Sequence, residues 1–213
     1  MRVVASGDDH ANNGQVVGCL AVMPQRGQCF IDDLAVDDDA QWPAIVSAIV
    51  GQVPERPAVV AVPTADDALA DALGVADAEM VSAYWIRSAA AGAAAAQALD
   101  GSAADLPRPV HTFGGAPFDP DAPNGFGFTT AAGSVVGLAS VAAPPVYDPG
   151  GAVTLVDLVA GDDLDALLET TLAVAAERRD GLVTVVCAET NVGLRRALVA
   201  ADFARTVDIY RLP

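Results

Sequence analysis

The sequence contains no lysine: its eleven basic residues are all arginine, against 28 Asp and Glu. The net charge of −17 repels nucleic acid and anionic bilayers, so neither is expected as a partner. It also opposes small anionic ligands unless Arg side chains and backbone N–H groups are concentrated locally. GC-rich coding, which exchanges Lys for Arg and enriches Ala, Asp and Gly, explains this composition first; a salt-adapted surface is the second explanation. Histidine is almost missing, with only His10 and His111. The three cysteines, Cys19, Cys29 and Cys187, form no Cys-x-x-Cys pair. A zinc site is therefore not expected, and the thiols read as reduced and buried. No apolar run reaches the ~18 residues of a membrane span. The N-terminus lacks the apolar stretch of a signal peptide, so a soluble, cytoplasmic protein is expected. There is no Gly-x-Gly-x-x-Gly after a strand, no P-loop and no Gly-x-Ser-x-Gly elbow.

Hydrophobic residues are abundant, at 53%, and they are organised in an internal repeat. Gly14-Gln15-Val16-Val17-Gly18 recurs as Gly133-Ser134-Val135-Val136-Gly137. Ile31-Asp32-Asp33-Leu34-Ala35-Val36 recurs as Leu155-Val156-Asp157-Leu158-Val159-Ala160. Val59 to Leu73 aligns with Thr184 to Leu198, and Val81 to Arg87 aligns with Val207 to Leu212. Each copy begins with an apolar, β-branched hairpin whose turn carries Gly, Asn or Asp. A third strand follows, over 28–36 and 152–159. Trp42, Ile45, Val46, Ile49 and Val50 then recur at helical spacing, as do Leu164, Leu167, Leu168 and Leu172. Next come a short apolar strand (58–62 and 182–187), a helix led by Asp66 or Asn191, and a closing strand (81–87 and 206–212).

The spacing predicts an α/β fold with a mixed sheet, made of two β-β-β-α-β-α-β units related by duplication. The first unit is expected over 1–87 and the second over 125–213, packed as a pseudo-dimer. Residues 88–124 form the connector: Ala-rich and open to helix formation at first, then rich in Pro and Gly.

The order of elements resembles the GNAT acetyltransferase fold without its first strand and first two helices. The most specific stretch is Thr190-Asn191-Val192-Gly193-Leu194-Arg195-Arg196-Ala197-Leu198, running on to Asp202-Phe203 and Ile209-Tyr210-Arg211-Leu212. A second is Phe30-Ile31-Asp32-Asp33-Leu34-Ala35-Val36-Asp37, which looks like the family's central strand. The resemblance implies direct acyl transfer from acetyl-CoA to a small-molecule amine. The pantetheine arm would lie between diverging strands, and the pyrophosphate at a helix N-terminus. Carried over residue by residue, it gives Asp157, Asp33 and Glu189 as catalytic candidates. Val159, Gly161, Asn191 and Arg195 are its coenzyme-binding candidates. No metal is implied, and a homodimer is compatible with the fold.

Two departures from the family pattern stand out. The coenzyme loop has no alternating glycines: Asp37 to Pro43 and Ala160 to Asp165 stand there instead, with several carboxylates. The Tyr usual on the second helix is replaced by Leu73 and Leu198. A catalytically degenerate binding or interaction protein is therefore the alternative. In that reading Asp33 and Asp157 are solvated strand-end or capping groups, and Arg195 pairs with a nearby carboxylate.

Overall fold

Beta-branched and apolar runs separated by two amphipathic helical segments per repeat give a mixed α/β structure. The computed structural model describes residues 2–3, 18–25, 28–36, 38–52, 58–91, 97–98, 125–129, 135–142, 152–160 and 163–213. The chain divides into two compact units. One is Met1–Ser82 with Thr206–Pro213, and the other is Ala83–Arg205.

In the first unit, β1 (Arg2–Val3), β2 (Gly18–Gln25) and β3 (Gln28–Val36) run antiparallel in succession. A short 3₁₀ turn, Asp39–Gln41, leads into α1 (Trp42–Gln52). The chain returns as β4 (Ala58–Pro63), parallel to β3, and continues into α2 (Asp67–Val75). The strand on the far side of β4 comes from the other end of the sequence: β11 (Ala204–Arg211) pairs with it antiparallel, from Val207↔Pro63 to Arg211↔Val59. β4 is almost wholly apolar, and its Ala58, Val60 and Val62 are buried in one core with α1 and α2.

In the second unit, β7 (Gly125–Thr129), β8 (Val135–Ala142) and β9 (Ala152–Ala160) are antiparallel neighbours. After α3 (Leu164–Glu177), β10 (Leu182–Ala188) runs parallel to β9, and α4 (Val192–Ala200) follows. The strand beside β10 is β5 (Glu79–Ser88), the closing strand of the first repeat. The strand that closes the segment 1–87 thus lies beside β10, and the strand that closes 125–213 lies beside β4.

The cores record the same placement. Leu212, from the second repeat, is buried with Ile31, Trp42, Ile45, Val60 and Leu69. Ala83 and Trp85, from the first repeat, are buried with Leu167, Leu172, Val185 and Leu198. In the Ala-rich stretch Ser88 closes β5, residues 89–91 lie in neither helix nor strand, and β6 (Gln97–Ala98) pairs with β7.

Helix ends follow one design. Asp66, Asp163 and Asn191 each accept the backbone N–H three residues on, at 3.0–3.1 Å. Three helices close with a non-glycine residue in the left-handed region: Asp77, Arg179 and Asp202, at φ 59°, 66° and 59°. In each case the next residue donates back into the helix, as Phe203 N–H does to the Leu198 carbonyl at 3.0 Å. No helix among the described residues is long and apolar enough to cross a membrane.

Candidate functional site

The central strand of each unit leaves its parallel partner part-way along. In the second unit β9 and β10 are in register from Val153↔Leu182 to Val156↔Val185. Beyond that pair, β9 runs on to Ala160 and β10 to Ala188 with no further partners. On its other edge β9 stays paired with β8 as far as Ala160. A β-bulge sits at the point of departure: Gly137 faces Leu158 and Leu138 faces Val156, which leaves Asp157 as the extra residue. A bulge bends its strand and increases its twist, so it supplies a physical cause for the divergence. The first unit repeats the arrangement. β3 and β4 pair only from Cys29↔Ala58 to Ile31↔Val60, and Asp33 and Leu34 lie at the bulge opposite Leu20. The sequence-predicted Asp33 and Asp157 therefore occupy matching positions, one residue or two beyond the last parallel pair. Val159 lies on the diverging part of β9, opposite Val136. Gly161 falls outside the described residues.

The end of β10 and the start of α4 hold the remaining predicted residues. Glu189 and Arg195 form an ion pair, each side chain about one-third exposed. A carboxylate assigned to catalysis and a guanidinium assigned to phosphate thus engage each other. Asn191 caps α4 by accepting the Leu194 N–H at 3.1 Å. Cys187 is buried beneath them, its Sγ 3.5 Å from the Ala188 carbonyl oxygen and 3.8 Å from that of Asn191. Burial pushes its thiol up to about 11; Arg195 opposes the rise and Glu189 adds to it. At that value the sulfur is a neutral thiol at physiological pH and a poor nucleophile.

A cavity of about 620 Å³ opens between the start of α3 and the side of α4. Asp163, Leu164 and Asp165 line it from α3, and Gly193 and Arg196 from α4. A Cβ on Gly193 would make only an ordinary contact, 3.8 Å from Leu164 Cδ1. The first unit differs at the start of its first helix. There Trp42 takes the helical position that Leu164 takes in α3, and it is only 3% exposed. Sequence periodicity identified Trp42 and Leu164 as core positions but gave no sign of the cavity beside α3.

The helix starts decide which anion either unit accepts. The dipole and the free N–H groups of a helix N-terminus attract phosphate. At α3, however, the Ala166 N–H donates to Asp163 Oδ1 at 3.0 Å and the Leu167 N–H to the Asp163 carbonyl at 3.1 Å. Asp165 adds a second carboxylate in the first turn. Asp38 and Asp39 do the same ahead of α1, where Ala40 N–H donates to Asp38 Oδ1 at 3.0 Å. Two like charges 4 Å apart repel by about 1–4 kcal/mol at aqueous to surface-like dielectric. Arg196 returns one positive charge to the cavity against the two carboxylates. The described start of α3 is thus lined by two carboxylates and one guanidinium.

No protein-family model matches the sequence, and no curated protein is similar to it. Solved structures are similar in fold. A Thermoplasma acidophilum protein assigned provisionally to the acetyltransferases is 15% identical, with a TM-score of 0.54 over 93% of this chain and 74% of its own. GCN5-related N-acetyltransferases from Sphaerobacter thermophilus and Kribbella flavida are 12% and 14% identical, each with a TM-score of 0.51. They cover 94% and 93% of this chain and 79% and 88% of their own. With the bulged central strand, its divergence from the parallel neighbour and the helix that follows, these matches give the chain the fold of the GNAT superfamily.

Proposed function

We propose that the second unit is an acyltransferase site that holds an acyl-pantetheine thioester in the gap beyond Val156 and Val185 and passes the acyl group to a small amine. One observation carries this reading: two parallel strands stop pairing after four residue pairs, yet both continue. Backbone groups on the inner edges of residues 157–160 and 186–188 need partners, and a pantetheine arm, with two amides, supplies them as an added strand would. Asp157 is assigned as the base for the incoming amine, on its position at the mouth of the gap. Asn191 and the Glu189–Arg195 pair fix the start of α4 at the gap's far side. The acetyl group is the donor expected from the fold, and the unit's partner in the first repeat is taken as its duplicated counterpart.

A second reading, a GNAT-fold binding protein without catalysis, is favoured by the self-capped helix starts and by the mutual engagement of Glu189 and Arg195. Thiol release from acetyl-pantetheine with a panel of primary amines separates the two. Release that falls at least 100-fold in Asp157→Asn, with donor binding retained, supports the transferase. Binding without release from any amine supports the second reading. Ligand at 100 times its dissociation constant adds about 2.7 kcal/mol of stability. A thermal transition unmoved by millimolar thioester therefore refutes the transferase reading and leaves the second.

A further inference from the structure

We infer that the second unit recognises its donor by the acyl-pantetheine arm alone, and that a 3′-phosphoadenosine diphosphate attached to that arm adds no affinity. The inference rests on the reading of the strand gap given above. Its own support lies at α3, where Asp163 occupies one N–H of the first turn and the side chains that would meet a diphosphate carry the wrong charge. Asp163 takes the third N–H of the helix with its side chain and the fourth with its carbonyl. Asp165 stands in the same turn, and both carboxylates are exposed on the cavity wall. Of the two arginines on α4, Arg195 is committed to Glu189, which leaves Arg196 to face two aspartates. At the first unit's helix start Asp38 likewise accepts a backbone N–H, and Asp39 adds a second carboxylate. The charge of −17 on the whole chain acts in the same direction.

Calorimetric titration of the full chain with acetyl-pantetheine, acetyl-CoA and 3′,5′-ADP tests this. In 0.5 M salt, where the Debye length is roughly 4 Å, the two thioesters should bind within about threefold of each other, since the arm is their shared part. At 20 mM salt acetyl-CoA should fall behind, and 3′,5′-ADP should not compete with acetyl-pantetheine at either ionic strength. The double variant Asp163→Asn/Asp165→Asn keeps a good capping side chain and removes both charges. It should tighten acetyl-CoA about tenfold and leave acetyl-pantetheine unchanged. Native binding of acetyl-CoA ten times tighter than acetyl-pantetheine overturns the inference while leaving the strand-gap reading intact. A double variant with no gain for acetyl-CoA overturns the role given to the aspartates. Failure of both thioesters to bind removes the strand-gap reading, and the inference with it.

Discussion

Trp85 belongs to the first repeat by sequence but to the second unit by packing, and its replacement by Ala tests that assignment directly. The side chain is 7% exposed and lies in the core with Leu167, Leu172, Val183, Val185 and Leu198. Truncating a buried Trp to Ala costs about 3–5 kcal/mol through lost burial and the cavity left behind. The Trp85 indole N–H has no hydrogen-bond partner among the described residues, so the substitution also removes an orphaned donor, which returns part of that cost. A net loss of about 3 kcal/mol is expected, equivalent to roughly 150-fold in the opening equilibrium. Hydrogen exchange followed by mass spectrometry should show the lost protection in α3 and β10, with α1 and β4 changing far less. Leu212→Ala is the mirror experiment. It should cost about 2–4 kcal/mol and expose β4 and α1 first. Should Trp85→Ala instead loosen β3, β4 and α1 and spare α3 and β10, this placement of β5 would be refuted.

The left-handed residue after α3 gives a second prediction. Arg179→Gly removes the side-chain cost of φ 66° and should raise stability by about 0.5–1 kcal/mol, read as a higher urea midpoint at constant slope. Asp163→Ala deletes the α3 cap and should cost about 1 kcal/mol, whereas Asp163→Asn should be nearly neutral in the same melt. Cys187 should resist alkylation: with its thiol at about 11 against 9.0 for the unperturbed group, its thiolate fraction at pH 8 is roughly 90-fold below that of a free cysteine. The folded state holds that proton more tightly than the unfolded chain, whose thiol titrates near 9.0. This contribution is complete below pH 9 and lost as pH rises to about 11. Cys187→Ala should therefore flatten the alkaline limb of a stability–pH curve.

Much of this structure is legible in the residues. The period of Ile45, Val46 and Ile49, and of Leu167, Leu168 and Leu172, marks the helices that lie on the sheet. The apolar runs at 58–62 and 182–187 mark the central parallel strands. The capping role of Asp66, Asp163 and Asn191 follows from residue type and place. The destination of the last strands does not follow. Val81–Arg87 and Val207–Leu212 carry similar patterns, so β4 and β10 accept either one on local grounds, and packing chooses between them. The Ala-rich stretch after Ile86 has helix propensity, yet β5 extends to Ser88 and Gln97–Ala98 pair with β7; tertiary pairing overrides a weak local preference. At the candidate site the aligned Asp33 and Asp157 were visible as a repeat, but a bulge has no sequence signature of its own. The Glu189–Arg195 pair spans a strand end and a helix turn, a distance that only the folded backbone sets.

The route of β11 bears on how the chain is made. The first unit's β4 edge has to wait for residues 204–211, which leave the ribosome more than a hundred residues after β4 itself. During that interval an apolar strand edge stands open. Translation at ~5–20 residues per second makes the wait roughly seven seconds at the fastest. The early-emerging half is therefore expected to spend that time as a client of holding chaperones, and it matures only when the last strand arrives.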